Sequence, residues 1–121
     1  SLRSQVYEPD YLLIVDPTLL VGFNCFSGFK SNGIAVINEG QDIPIPKPKD
    51  KQKIFVVPAT KIAQEVIGRP IANTTLLGAF AKATGIIDLE ALNQAIQKNL
   101  SGKVAQLNIE AAKRGFDYIK L

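Results

Sequence analysis

The sequence lacks histidine, methionine and tryptophan, and it contains a single cysteine, Cys25. Without histidine, the chain has neither the commonest general base nor the commonest transition-metal ligand. One cysteine cannot form an internal disulfide, and it cannot supply the thiolates of a zinc site or an iron–sulfur cluster. These absences exclude the most frequent catalytic and metal centres from this chain.

Motifs for nucleotide binding and nucleophilic catalysis are also missing. The sequence contains no P-loop, no complete dinucleotide-binding glycine motif and no nucleophile elbow. Cys25 has no histidine partner and lies between Asn24 and Phe26, so we interpret it as a buried structural thiol. We expect no catalytic residues in this chain.

The charge is mild and dispersed, with 14 basic and 11 acidic residues giving a net charge of +3. This balance gives no indication of nucleic-acid binding. The apolar runs are far shorter than the ~20 residues that a membrane helix requires. No secretory signal is evident, and a lone cysteine suits a reducing compartment. We therefore expect a cytoplasmic protein that binds neither nucleic acid nor membrane.

Three short, continuous apolar runs predict an α/β fold: Leu12–Val15, Ile34–Ile37 and Ile54–Val57. Runs of this kind are typical of parallel strands that are buried on both faces. Pro17–Ser31 is long enough for a crossover helix, although its glycines and asparagine are poor helix formers. With 46% hydrophobic residues, the chain is predicted to be one domain, 1–121, with a doubly wound, mostly parallel sheet and flanking helices.

The C-terminal part is predicted to be helical. An apolar stripe over Ala59–Ile67 indicates a helix with one buried face. Asn73–Thr84 follows as a second helix, for which Asn73 or Thr74 supplies a cap. Asp88 and Ser101 are expected to cap a third and a fourth helix, the last of which ends at Gly115.

The helix Asn73–Thr84 is almost uncharged, since Lys82 is its only charged residue. A helix that is apolar nearly all round must be buried on more than one side. The sheet can cover one side, and we expect a partner chain to cover another. The pattern thus favours a subunit over a free-standing enzyme, and Lys82 either contacts the partner or extends to solvent.

The start of this helix holds the best candidates for a ligand site. Asn73, Thr74 and Thr75 place three hydrogen-bonding side chains beside the free N–H groups of a helix start, and Arg69 adds positive charge. Such a start can bind a phosphate or pyrophosphate. The alternative is simple capping of the helix, which every helix start needs in some form.

Two further features have a functional and a structural interpretation. Asp16 follows the first strand, at the edge where α/β sheets bind ligands, but it can equally be a helix cap ahead of Pro17. The proline- and lysine-rich stretch Gln41–Lys53 is predicted to be a solvated loop. The alternative for this stretch is an arm that lies against a neighbouring subunit.

Three segments in order along the chain resemble one family. They are EPDYLLIVDPTLL (Glu8–Leu20), GRPIANTTLLGAFAKATG (Gly68–Gly85) and LNIEAAKRGFD (Leu107–Asp117). Together they resemble the gamma subunit, or gamma-type domain, of 2-oxoacid:ferredoxin oxidoreductases, over nearly the whole chain. The segment DPTLL (Asp16–Leu20) is more similar to the pyruvate-type subunits than to the 2-oxoglutarate type.

The resemblance implies a complex that oxidatively decarboxylates a 2-oxoacid such as pyruvate to an acyl-coenzyme A and reduces ferredoxin. Thiamine diphosphate with Mg, and the iron–sulfur clusters, are then held by other subunits: the thiamine-binding alpha and beta and the iron–sulfur delta. This chain is expected to help assembly and to enclose coenzyme A and substrate. Coenzyme A phosphates would contact Arg69, Asn73, Thr74 and Thr75.

One departure from the family affects the domain boundaries. Family members begin with a strand and a glycine-rich GRGGQG turn, to which nothing in this sequence corresponds. With the absence of methionine, this favours a fragment, the C-terminal portion of a gamma-type domain. Two other functions stay open at this point: a stand-alone phosphate- or nucleotide-binding module, and a pure oligomerisation domain without a ligand.

Overall fold

The structure, a computed structural model, describes residues 10–121; residues 8 and 9, which open the first family-like segment, lie outside the described part. The elements in chain order are β1 (Tyr11–Ile14), α1 (Leu19–Gly22), β2 (Ile34–Asn38), β3 (Lys53–Val57), α2 (Ala59–Val66), α3 (Asn73–Thr84), α4 (Leu89–Asn99) and α5 (Gly102–Tyr118). Strands therefore precede a C-terminal half that is helical, as predicted.

Within residues 10–121 the sheet is parallel, with β2 between β1 and β3. Ile34 of β2 aligns with Tyr11 on one side and with Lys53 on the other. All three predicted strands are confirmed, with ends that differ by one residue. Because parallel strands all end at one edge, here called the carboxyl edge, each connection must carry the chain back across the sheet.

Helices α2 and α3 pack on one face of the sheet. Val36 and Val57 of the sheet join Ala72 and Leu76 in a common apolar core. At its other end, α3 reaches β1, where the ring of Phe80 meets that of Tyr11 edge to face with centroids 6.0 Å apart. Tyr11 opens β1, so α3 runs from the carboxyl edge of the sheet towards the opposite edge.

The second side of α3 is covered by α5, not by a partner chain, which corrects the expectation from the sequence. A Cβ at Gly78 of α3 would overlap the carbonyl of Ala112, and a Cβ at Gly115 of α5 would overlap the carbonyl of Thr75. Glycine at both positions therefore lets the two helix backbones touch. The apolar composition of α3 is therefore explained by its position between the sheet and α5, and it does not by itself indicate a subunit interface.

The opposite face of the sheet is covered by connecting segments. Ile14, Ala35 and Ile37 are buried there, because side chains alternate between the faces of a strand. The predicted helix over Pro17–Ser31 is wrong: it is reduced to the four residues of α1. Gly28, with φ 75°, lies in the left-handed region, which a helix cannot include.

The last two helices form a hairpin with its own small core. Leu92 and Ile96 of α4 pack against α5. Asp88 caps α4 as predicted, since its carboxylate accepts a 2.7 Å hydrogen bond from the N–H of Ala91. Ser101 is the N-cap residue of α5, but its side chain makes no capping hydrogen bond. The helix does not end at Gly115 as predicted and continues to Tyr118. Gly115 instead lies inside the helix, where it allows the close approach of α3.

No helix within residues 10–121 is both long enough and apolar enough to cross a bilayer.

Candidate functional site

The carboxyl edge of the sheet is organised by Asn38, a polar residue that is almost fully buried at the end of β2. Its amide nitrogen donates to the carbonyl of Val15 at 3.1 Å and to the hydroxyl of Thr60 at 2.9 Å. Its amide oxygen accepts from the N–H of Ala59 at 3.1 Å. One side chain thus joins the end of β1, the end of β2 and the start of α2.

A groove of about 650 Å³ opens beside this junction. Open parallel sheets commonly bind ligands outside the carboxyl ends of their strands, which is where the groove lies. Its described lining residues come from the segment after β2, from α2 and from the turn before α3: Glu39, Gly40, Gln41, Pro58, Thr60, Lys61, Gln64, Glu65 and Pro70.

The groove combines charged side chains with the apolar surface of Pro58 and Pro70. Its charged groups are Glu39, Lys61 and Glu65, and the last is occupied by a 3.1 Å ion pair with Arg114. The hydroxyl of Thr60 in this lining is hydrogen-bonded to the Asn38 amide. Across residues 10–121 no group of three metal-ligating side chains comes together.

Asp16 lies at the same edge but is engaged locally. Its carboxylate accepts hydrogen bonds from the N–H of Thr18 at 3.0 Å and from the Thr18 hydroxyl at 2.6 Å. These bonds lower the pKa of the Asp16 carboxyl below its usual value. The arrangement stabilises the turn ahead of α1, which fits the structural interpretation of this residue.

The four predicted site residues face different surroundings. Arg69 and Asn73 are exposed at and just before the start of α3. The Thr74 hydroxyl donates to the side-chain oxygen of Asn108 on α5 at 2.9 Å. Thr75 is fully buried, and its hydroxyl has no partner among the described residues. Only the first two therefore present side chains that a ligand can reach directly.

The start of α3 has no side-chain cap. The N-cap residue is Ala72, which has no polar side chain, so the prediction that Asn73 or Thr74 caps this helix is wrong. The prediction placed the cap, though not the helix itself, one or two residues too late. None of the four predicted residues lines the groove, although Pro70 of the same turn does.

Two other side chains are used within the chain. The ammonium of Lys82 lies 4.7 Å from the centre of the Phe116 ring, so it contacts α5 instead of extending freely into solvent. Cys25 is half-buried and not buried as predicted, because most residues around it in the segment after α1 are exposed. Its thiol lies 3.6 Å from the carbonyl of Leu19.

Comparison with known proteins decides the family. A profile of the family described as pyruvate ferredoxin/flavodoxin oxidoreductase matches residues 1–118. The chain belongs to this family. It is 38% identical over 119 residues to the common gamma subunit of the pyruvate/ketoisovalerate oxidoreductases of Pyrococcus furiosus, a match that covers 96% of this chain. It is 47% identical over 96 residues to the pyruvate synthase subunit PorC of Methanosarcina barkeri, which covers 79% of this chain and 53% of that subunit.

Solved structures of the pyruvate ferredoxin/flavodoxin oxidoreductase family share the fold. The pyruvate oxidoreductase subunit PORC of Thermotoga maritima superposes with a TM-score of 0.79 at 35% identity, over 95% of this chain and 66% of that one. The chain spans 64% of the length of the Pyrococcus subunit. The α/β fold and the resemblance to gamma subunits are therefore confirmed.

Proposed function

We propose that this chain is part of the gamma subunit, or gamma-type domain, of a complex that oxidises pyruvate or a related 2-oxoacid to an acyl-coenzyme A and reduces ferredoxin. The family match over residues 1–118 carries this proposal. It is supported by relatives named as gamma subunits of pyruvate and ketoisovalerate oxidoreductases. Residues 1–121 would form the C-terminal portion of that domain.

In this proposal the chain itself supplies neither the cofactors nor the catalytic groups. Within residues 10–121 no group of three metal-ligating side chains comes together. Decarboxylation needs thiamine diphosphate with Mg as electron sink, and electron transfer needs iron–sulfur clusters. In our proposal thiamine-binding alpha and beta subunits and an iron–sulfur delta subunit supply these groups, and the assembled complex works in the cytoplasm.

We further propose that the start of α3 contacts the phosphates of coenzyme A. No side chain caps this helix, and Arg69 and Asn73 are both exposed there. Arg69 forms no ion pair with any carboxylate of residues 10–121. Thr74 would contribute through its backbone N–H, since its hydroxyl is bonded to Asn108. Thr75 is fully buried, so we do not include it among the contacts.

Deletion and complementation test the role in the complex. An extract of the source organism that lacks this chain is expected to lose 2-oxoacid- and coenzyme A-dependent dye reduction, and the returned gene restores it. Retention of full activity after deletion would contradict the proposal.

Steady-state kinetics of the complex test the coenzyme A contact. Loss of one phosphate contact costs about 1.5–3 kcal/mol, so Arg69→Gln should raise the KM for coenzyme A about tenfold or more with little change in kcat. Lys98→Gln, which removes an exposed charge on α4, is the matched control and should leave the KM unchanged. Equal KM values for both variants would refute the contact while leaving the role in the complex intact.

A further inference from the structure

A second cleft lies on the face of the sheet away from α3, between the two connections. It has a volume of about 460 Å³, within the range of pockets that bind small molecules. Its lining residues come from the α1 region and from the proline- and lysine-rich loop: Leu20, Phe23, Asn24, Cys25, Phe26, Gly28, Phe29, Pro46, Lys47, Lys49 and Gln52.

The walls of this cleft are held together by hydrogen bonds. The Gln52 carboxamide accepts from the N–H of Lys49 at 2.9 Å and donates to the carbonyl of Lys30 at 3.1 Å. Beside it, the N–H of Lys51 donates to the carbonyl of Ser31 at 2.8 Å. The proline-rich loop is therefore fixed to the 23–31 segment, and the cleft exists before any ligand arrives.

The charge of the lining has one sign. Lys47 and Lys49 both line the cleft, and the lining contains neither Asp nor Glu. Neither lysine forms an ion pair with a carboxylate of residues 10–121. Two lysines in a lining that contains no acid favour an anion, and lysine binds phosphate as a point charge.

Aromatic rings form the opposite wall. Phe26 is held edge to face against the buried Phe29, with ring centroids 5.3 Å apart. Phe23 lines the cleft and is 67% exposed, which leaves much of its ring open to solvent. A planar ring stacked on Phe23 would cover this apolar surface.

We infer that this cleft binds a mononucleotide-sized ligand, with its phosphate at Lys47 and Lys49 and its base against Phe23. The site is separate from the contacts proposed at α3 and does not depend on the function of the complex. We expect tight binding to need both a phosphate and a planar ring on the ligand, because the lysines and the phenylalanine line the same cavity.

Cys25 is a local reporter for this site, because it lines the cleft and is the chain's one cysteine. The native assembly is treated with iodoacetamide, and the rate of Cys25 alkylation is followed by mass spectrometry of its peptide. AMP is expected to slow alkylation at least about fivefold, and adenosine or inorganic phosphate at the same concentration is expected to slow it less. Equal protection by phosphate alone, or none by AMP, would overturn the assignment. A Cys25 that the reagent never reaches would also overturn it, because another subunit would then cover the cleft.

Variants with matched controls locate the ligand. Lys47→Gln and Lys49→Gln should each raise the AMP concentration needed for half-maximal protection about tenfold, as expected for a lost charged contact. Lys51→Gln, in the same loop but outside the lining, should not. Phe23→Ala should raise this concentration too, whereas Val21→Ala, a more exposed neighbour outside the cleft, should not. If the controls and the cleft variants behave alike, AMP binds elsewhere and the inference fails.

Discussion

Substitution of Asn38 by alanine tests whether this residue organises the carboxyl edge of the sheet. The side chain makes three hydrogen bonds, to the Val15 carbonyl, the Thr60 hydroxyl and the Ala59 N–H. It is only 4% exposed and Ala59 is fully buried, so in the alanine variant water has little access to the Ala59 N–H. Asn38→Ala should therefore leave the Ala59 N–H without a partner, whereas the carbonyl of Val15 belongs to a residue that is 42% exposed.

The size of the effect follows from these bonds. Each intramolecular hydrogen bond contributes about 1 kcal/mol net, and an orphaned buried group costs about 1–3 kcal/mol. The Thr60 hydroxyl counts for less, because Thr60 is exposed and can bind water. We expect Asn38→Ala to lower the free energy of unfolding by about 2–3 kcal/mol.

Urea denaturation followed by circular dichroism measures this change, with Asn99→Ala as the control. Asn99 also uses its amide nitrogen, which donates to the carbonyl of Ala95 at 2.8 Å, but both residues are exposed. Its loss should change the free energy of unfolding by about 0.5 kcal/mol or less. If the two variants were equally stable, the reasoning about Asn38 would be refuted.

Three further predictions concern the α3–α5 crossing and a surface carboxylate. Gly78→Ala and Gly115→Ala should each lower the free energy of unfolding by about 2 kcal/mol or more, since the steric cost of separating two backbones exceeds the helix-propensity gain of about 1 kcal/mol. Gly22→Ala is the control, because Gly22 has open space around it. A Gly78→Ala variant as stable as the parent chain would show that the two helices are not in contact. Thr75→Val should keep or raise stability by about 1 kcal/mol, because it removes a buried hydroxyl without a described partner; a clear loss in urea denaturation would instead reveal a hydrogen bond to that hydroxyl. Hydrogen bonds from Thr18 lower the pKa of the Asp16 carboxyl in the folded state below its ordinary value of 3.8. Their contribution to the free energy of unfolding is therefore complete above pH 3.8 and is lost as the pH falls through the folded pKa. Asp16→Asn should flatten the acid end of the stability–pH curve, and an unchanged curve would contradict the interaction.

The regular elements could be predicted because local pattern and burial agree. Continuous apolar runs such as Ile34–Ile37 became strands, and Asn73–Thr84 became a helix with the predicted bounds. The crossover helix over Pro17–Ser31 failed where two signals disagreed. Its length suggested a helix, but its glycines were unfavourable, and Gly28 adopts a left-handed backbone.

The covering of α3 could not be read from one helix alone. An apolar helix shows that it is buried on several sides and does not show what buries it. Here Gly78 opposes the carbonyl of Ala112 and Gly115 opposes the carbonyl of Thr75, so each pair joins residues from different helices that are far apart in the sequence. The sequence shows that both helices contain small residues, but only the three-dimensional structure shows which of them face each other.

The candidate site was partly predictable. The turn before α3 was identified, and Pro70 of that turn borders the carboxyl-edge groove. Asn38 was missed because it follows an apolar run as a single polar residue, a position that most often indicates a strand end. The directions of Thr74 and Thr75 were also hidden, since they depend on where α5 lies.

The most direct test of membership in an oxidoreductase complex is the native mass of the protein in an extract of its source organism, with co-eluting proteins identified by mass spectrometry. The account predicts elution together with thiamine-binding and iron–sulfur subunits, in fractions that reduce a dye only when a 2-oxoacid and coenzyme A are both present. Elution as a lone chain, away from all such activity, would contradict it.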